Sequence, residues 1–127
     1  MELSIHDKMK RHVGLPVSFK LSDNKGGEDE FYFVPLDSPD IITMLAVSTE
    51  VQEKKVMSKE QTLDILGLIK KMVKKSYPEL SDDEIEGFVS YHLIELLQIL
   101  YAIHGWAEKA SPVKDRLEEL KEQRKKK

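Results

Sequence analysis

Residues 76–85 read SYPELSDDEI and contain the end of one helix followed at once by the start of another. Pro78 ends the first helix, because the residue before a proline is displaced from the α region. Ser81 and Glu84 have the spacing of a capping box, in which each side chain accepts a hydrogen bond from the other residue's backbone N–H. The two aspartates between them favour the positive end of the new helix dipole. The stretch therefore predicts a corner between two helices.

Apolar residues at helical spacing extend from both sides of this corner. Before it, Ser58 and Gln61 form a second capping box, which predicts a helix over about 58–76. After it, the apolar pattern predicts a helix over about 82–104.

Two Ser-Pro pairs predict further helix starts, because serine is a good N-cap and proline is tolerated at the first helical position. The pair at Ser38 precedes a helix expected over about 39–50, and residues 51–57 fit either a loop or a continuation of that helix. The pair at Ser111 begins a charged C-terminal helix or tail over 111–127.

The helix expected over 82–104 carries apolar residues around much more than the roughly 100° face of a surface helix. A domain of this size can scarcely bury such a helix on every side, so we expect another polypeptide to cover part of it. The predicted association stripe consists of Ile85, Val89, His92, Leu96, Ile99 and Ile103.

A β-hairpin is expected over about 16–35, because apolar and polar residues alternate, then turn residues follow, then an aromatic run. Alternation sends Phe31 and Phe33 to the face that carries Phe19, and Tyr32 to the other face. An isolated hairpin is marginal in water, so this one packs on the helices or pairs with another chain. We therefore add Phe31 and Tyr32 to the predicted contact residues. Trp106 is either a cap over the end of the bundle or a further contact residue.

These elements predict a single α+β, mostly helical domain over residues 1–110, in which the N-terminal β-hairpin packs on a small helical bundle. The charged C-terminal helix is peripheral. Ser4 is a candidate cap for a short first helix that Gly14 and Pro16 end.

Composition excludes several classes of protein and site. The chain of 127 residues has no cysteine, which excludes disulfides, zinc–thiolate sites and thiol nucleophiles and suits a cytoplasmic protein. No apolar run has the length of a membrane helix, and the polar N-terminus is unlike a secretory signal. Residues 1–106 carry a net charge of −6 and residues 107–127 carry +3. Nucleic acid is therefore not an expected partner, although the basic tail could contact phosphate weakly.

Chemical motifs are scarce. His92 and Glu95 are one helical turn apart, but a carboxylate-bridged metal site needs several inward acidic residues, and the facing helix is apolar. The serines at the helix starts are explained as caps, and no nucleophile-elbow or phosphate-loop motif occurs. The acidic clusters lie in caps and loops, where they are solvated. We expect no catalytic residue, no metal, no cofactor and no enzymatic activity.

The order of elements resembles the small tail assembly chaperones and related tail-morphogenesis proteins of tailed viruses. The resemblance covers residues 15–105, and it is carried by VSFKLSDNKGGEDEFYFVPL (17–36), SPDIITML (38–45) and YPELSDDEIEGFVSYHLIELLQIL (77–100). It implies a non-enzymatic role in the host cytoplasm, in which an oligomeric protein associates with the tape measure protein and recruits tail tube subunits.

We therefore expect a non-enzymatic assembly or scaffolding protein that acts on other protein subunits through hydrophobic helix and hairpin surfaces, as a homo-oligomer. One alternative is a cytoplasmic homo-oligomeric adaptor or regulator. A variant of this alternative is a regulator that associates with nucleic acid through its basic C-terminal tail. Another is a small enzyme whose site forms between chains, with His92, Glu95 and Tyr91 converging on a pocket.

Overall fold

A computed structural model describes residues 4–6, 9, 15–23 and 25–125, with side chains up to residue 120. The short helix expected after Ser4 lies largely outside these residues. The described elements, in chain order, are β1 (Val17–Ser22), β2 (Glu28–Phe33), α1 (Ser38–Lys54), α2 (Lys59–Ser76), α3 (Asp82–Tyr91), α4 (Leu93–Ile103), a 3₁₀ turn (Ala107–Lys109) and α5 (Ala110–Lys125). The predicted α+β, mostly helical fold with an N-terminal hairpin is confirmed.

The hairpin has the alternation that the sequence predicts. β1 and β2 are antiparallel, and Phe19 lies opposite Phe31. Phe19 and Phe33 are buried, Phe31 is half-buried, and Tyr32 is exposed on the outer face. In the turn, the Asp23 carboxylate accepts hydrogen bonds from the backbone N–H groups of Lys25 and Gly27, at 2.8 and 3.0 Å. This side-chain bonding closes a loop that is too long for a two-residue turn.

The corner at residues 76–85 forms as its local signals require. The Ser81 hydroxyl accepts the backbone N–H of Glu84 at 3.1 Å, and the Glu84 carboxylate accepts the N–H of Ser81 at 3.0 Å. The same reciprocal pair forms between Ser58 and Gln61 at the start of α2. Both predicted capping boxes are confirmed.

The two Ser-Pro pairs behave differently from the capping boxes. Asp37, rather than Ser38, is the N-cap of α1, and its side chain makes no capping hydrogen bond. α1 extends to Lys54. Of residues 51–57, which fitted either a loop or a continuation of the helix, the first four therefore belong to α1. Ser111 lies inside α5 instead of capping it, because a 3₁₀ turn has already begun the helical path after Trp106. A proline early in a helix therefore locates its start only to within a turn.

The helix expected over 82–104 is divided at His92, where the backbone has φ −114° and ψ 29°. The interruption is confined to one residue, since the His92 N–H still bonds Phe88 and the His92 carbonyl still accepts from Leu96. The His92 ring packs against Phe88 and bonds the Glu95 carboxylate at 3.1 Å, so side-chain contacts hold the bend. The bend separates a half-exposed α3 from a central α4.

α4 is the centre of the core. Its residues from 99 to 103 are all buried, and it contacts β1, α2, α3 and α5. α5 covers it through three buried residues, Ala110, Val113 and Leu117. The chain's own elements bury the predicted stripe of the helix expected over 82–104, while Phe88 and Tyr91 in its first half stay partly exposed. The hairpin and α5 supply two covering layers for α4.

One polar contact lies inside this core. The Tyr101 hydroxyl hydrogen bonds the Ser48 hydroxyl, which in turn donates to the Met44 carbonyl at 2.8 Å. Burial raises the pKa of Tyr101 to about 12, so the phenol stays protonated. The pair satisfies two buried hydroxyl groups and joins α4 to α1.

Candidate binding surface

Aromatic rings line the junction between the hairpin and α3. We call Phe31, Tyr77, Phe88 and Tyr91, together with the His92 ring that links the last two, the aromatic seam. The Phe31 ring centroid lies 5.3 Å from Phe88 and 6.2 Å from Tyr77. The His92 ring lies 5.3 Å from Phe88 and 4.6 Å from Tyr91. These spacings are those of favourable ring pairs, so the seam is a packed row with defined geometry.

The seam is also partly open to solvent. Tyr91 is 57% exposed, and Phe31, Tyr77 and Phe88 are half-buried. Each half-buried ring keeps one side in the core and presents part of its surface outward. Rigid aromatic groups of this kind contribute much contact area at low entropic cost when another protein covers them.

The corner between α2 and α3 attaches the hairpin beside this seam. The Tyr77 hydroxyl accepts the backbone N–H of Tyr32 at 2.8 Å, and the Ser76 hydroxyl accepts the N–H of Val34 at 3.0 Å. Two donors at the outer edge of β2 are thereby satisfied by side chains. The SYPELSDDEI stretch thus turns the chain and also holds the strand that carries Phe31.

Two histidines complete the attachment of the hairpin. His104 is buried, and its Nε2 accepts the Leu36 N–H at 2.9 Å while its Nδ1 lies 2.7 Å from the Leu100 carbonyl. This arrangement requires the neutral ring with the proton on Nδ1. At the other end of the hairpin, Glu95 bonds His92 and also accepts the Ser22 N–H at 3.4 Å.

Acidic groups surround the aromatic residues of the hairpin. Residues 28–30 are Glu, Asp and Glu, and all three are exposed. A hydrogen bond from Tyr32, followed by one from Ser18, lowers the pKa of Glu30, so it is ionised at neutral pH. The same bond and the charge of Glu30 raise the pKa of Tyr32. The hairpin therefore presents tyrosine and carboxylate groups together, which suits a partner with basic side chains.

The structure separates the predicted contact residues into two groups. The association stripe is wrong as a surface, because its six members are only 0–9% exposed inside the chain's own core: Ile85, Val89, His92, Leu96, Ile99 and Ile103. Phe31 and Tyr32 remain at the surface, with Tyr32 49% exposed. Trp106 is half-buried against the core, directly after Gly105, which has a positive φ of 84°.

Sequence reasoning missed Tyr77, Phe88 and Tyr91 as surface aromatics. Phe88 and Tyr91 are three residues apart on one helix, a spacing that places them on the same face. That signal was present in the sequence. The sequence holds no corresponding signal for the contact of this face with the hairpin, because that contact joins elements more than fifty residues apart.

Other candidate sites have structural partners. Within the described ranges, no group of three or more His, Asp or Glu side chains is placed to hold a metal ion. The lysines of α2 make contacts that tie α2 to its neighbours: Lys70 with Glu86, Lys71 with Asp40, Lys74 with the Leu80 carbonyl, and Lys75 with Asp37. The described helices include none with both the length and the apolar character to cross a membrane.

Comparison with known proteins adds no relative. No protein-family model matches the chain, and neither a curated protein nor a solved structure matches it.

Proposed function

We propose that this protein is a non-enzymatic assembly or scaffolding protein that binds another polypeptide through the aromatic seam and the adjoining Tyr32. The observation that carries the proposal is the row of partly exposed rings between the hairpin and α3, with centroid spacings of 4.6 to 6.2 Å. Such a contiguous row of rings differs from the single scattered apolar residues of an ordinary surface.

The chemistry of the neighbouring groups supports a protein partner more than a small substrate. The polar groups around the seam hold the fold: Tyr77 and Ser76 accept from the backbone of the hairpin, and Glu95 joins His92 to β1. Each of these hydrogen bonds has a structural role, because it joins two elements of the fold. The exposed carboxylates of residues 28–30 lie at the rim, where charges steer and select a partner.

The more specific proposal is a tail assembly chaperone of a tailed virus, which follows from the resemblance over residues 15–105. In that case the tape measure protein or the tail tube subunit is the partner. The seam offers the aromatic anchors that transient recognition of a protein subunit uses.

The test is light scattering of the purified protein with the tape measure and tail tube proteins encoded in the same gene cluster. The variant Tyr32→Ser/Tyr91→Ser removes two exposed rings and the contact of Tyr91 with His92, and it leaves the contacts among Phe31, Tyr77 and Phe88 in place. The matched control is Leu63→Ser, which removes an exposed side chain from α2, outside the seam. We expect the wild type and the control to form a complex. The double variant should bind with an affinity at least roughly tenfold lower than that of the wild type. Absence of any complex, or equal binding by the double variant, would overturn the proposal.

A further inference from the structure

A cleft lies between α1 and the start of α2, and its lining residues are all different from those of the aromatic seam. Its volume is about 660 Å³, and it runs along one stripe of α1, past the linker that follows, to the first turns of α2. The stripe extends from Ile42 to Lys54, so at 1.5 Å per residue the cleft is about 18 Å long. We call it the α1–α2 cleft.

The floor of the α1–α2 cleft is apolar. Val47 is buried at its base, and Met57 in the linker is half-buried. Ile42 is 68% exposed and Val56 is 63% exposed, and Ala46 is exposed as well. Apolar side chains therefore face solvent both along α1 and in the linker. Several of them in one cleft form a surface of the kind that another molecule covers.

The sides of the α1–α2 cleft are acidic. Glu50 lines it on α1, and Glu60 and Asp64 line it on α2. Lys54 is the one base in the described lining, so the formal charge of the cleft is −2. The Glu50 carboxylate accepts hydrogen bonds from Lys54 and from the Gln61 amide, each at 2.9 Å. The bond from Lys54, together with its charge, lowers the pKa of Glu50, so this group is ionised at neutral pH.

Two of the three carboxylates are not paired with a basic side chain. Glu60 and Asp64 have no ion-pair partner among the residues with described side chains. They are four positions apart on α2, and like charges at that spacing on a helix repel each other. A cation that approached both groups would relieve this repulsion. The α1–α2 cleft therefore favours a basic ligand over an acidic one.

The shape of the α1–α2 cleft favours a helix as its occupant. Its lining residues belong to two helices and the linker between them, so it has no strand edge to pair with an extended peptide. A helix laid between two others packs its side chains against both, and about 18 Å accommodates about three helical turns. A small molecule suits the cleft less well, because the exposed floor would leave much of its surface in water.

We propose that the α1–α2 cleft binds a basic amphipathic helix of another protein. The apolar face of that helix, with residues at i, i+3, i+4 and i+7, covers Ile42, Ala46 and Val56. Lysine or arginine side chains that flank this face reach Glu60 and Asp64. The site is separate from the aromatic seam, so one chain can hold two different polypeptides at the same time.

The first test uses two designed peptides of about 14 residues, which are about 21 Å long as helices. One repeats Leu-Lys-Lys-Leu-Leu-Lys-Lys, which places leucine on one helical face and lysine on the other, and the second has glutamate in place of each lysine. Calorimetric titration of the full chain should show one lysine peptide bound per chain, more weakly at high salt, and no binding of the glutamate peptide. A chain that binds neither peptide, or both equally, would contradict the proposal.

The second test locates the lysine peptide in the cleft. Glu60→Gln/Asp64→Asn removes two charges from its sides, and Glu28→Gln/Asp29→Asn removes two from the exposed carboxylates of the hairpin as the matched control. We expect the cleft variant to bind the lysine peptide roughly fivefold or more weakly than the wild type, and the control to bind it within roughly twofold. An equal loss in both variants would mean that net charge alone attracts the peptide, and the proposal would fail.

The third test concerns the apolar floor. Ile42→Ser should also weaken binding of the lysine peptide by roughly fivefold, whereas Leu63→Ser should not, because Leu63 is 58% exposed on α2 outside the cleft lining. Equal effects of the two substitutions would overturn the assignment. Sedimentation equilibrium without peptide tests for a different occupant: a wild-type dimer that Ile42→Ser dissociates would place a second copy in the cleft and refute the proposal. All these variants retain the rings of the seam, so the outcome does not depend on the proposed binding of tail proteins.

Discussion

Helix α4 and the aromatic seam contrast in how apolar side chains are used. α4 is the most apolar helix in the sequence, and its residues are covered by the hairpin, α2, α3 and α5. The seam draws on less apolar segments, yet Tyr91 is 57% exposed and Phe31, Tyr77 and Phe88 are half-buried. A high density of apolar residues therefore marks the core of this protein and not the surface proposed for a partner. A surface for another polypeptide is found from the residues that remain uncovered after the fold has formed.

The largest expected effect separates a buried apolar side chain of α4 from an exposed apolar side chain of α1. Leu96→Ala removes a fully buried side chain of α4 and leaves a cavity, so the free energy of unfolding should fall by about 2–5 kcal/mol. Ile42→Ala removes an exposed side chain and should change it by less than about 0.5 kcal/mol. Urea unfolding of both variants at low protein concentration measures the difference. Equal, small effects would show that Leu96 is not in the core.

The second prediction compares the two buried histidines at the ends of α4. His104→Leu leaves the Leu36 N–H without its acceptor inside the protein, which should destabilise the fold by about 1–3 kcal/mol. His92→Leu leaves only the Glu95 carboxylate, which is 42% exposed and can bind water, so the loss should stay below about 1 kcal/mol. Urea unfolding at pH 7 gives both values. The opposite order would contradict the proposed attachment of the hairpin through His104.

The third prediction concerns the corner that precedes α3 and α4. Ser81→Ala removes the acceptor for the Glu84 N–H and should lower the free energy of unfolding by about 1 kcal/mol. Ser111→Ala is the matched control, because Ser111 lies inside α5 and should change stability by less than about 0.5 kcal/mol. Thermal unfolding of the two variants is the measurement. A larger loss from Ser111→Ala would indicate that Ser111 is the N-cap and that the helix begins at Pro112 instead of Ala110.

The smallest effect is the pH dependence of the same cap. Hydrogen bonds from the Ser81 backbone and then its side chain lower the pKa of Glu84 below its ordinary value of 4.5. The ionised form is therefore favoured in the folded state. The contribution of the ionised Glu84 carboxylate to the free energy of unfolding is fully present above the pKa of the unfolded state. It is lost as the pH falls through the lower pKa of the folded state. We expect the stability difference between the wild type and Glu84→Gln to be constant near pH 7 and to shrink below about pH 4.5. A difference that does not vary with pH would contradict this role.

Much of the fold could be predicted from the sequence because its signals are local. The boxes at Ser58 and Ser81 use residues three positions apart, so their formation depends only on the first turn of each helix. The alternation around Phe19 determines which hairpin side chains face inward, since strand geometry has a period of two. The same local reasoning was less accurate at Ser38 and Ser111, where proline fixes one dihedral angle without specifying which neighbour is the cap.

The sequence by itself determined the helices, the hairpin, the corner at residues 76–85 and the residues that need covering. The tertiary structure alone decided what covers them. The contact of Tyr77 with the hairpin joins residues 45 positions apart, and the packing of α5 on α4 joins two separate helices, so no short-range pattern encodes either contact. Exposure is a property of the whole packed molecule. For that reason the surface proposed for a partner, the aromatic seam, became visible only in three dimensions.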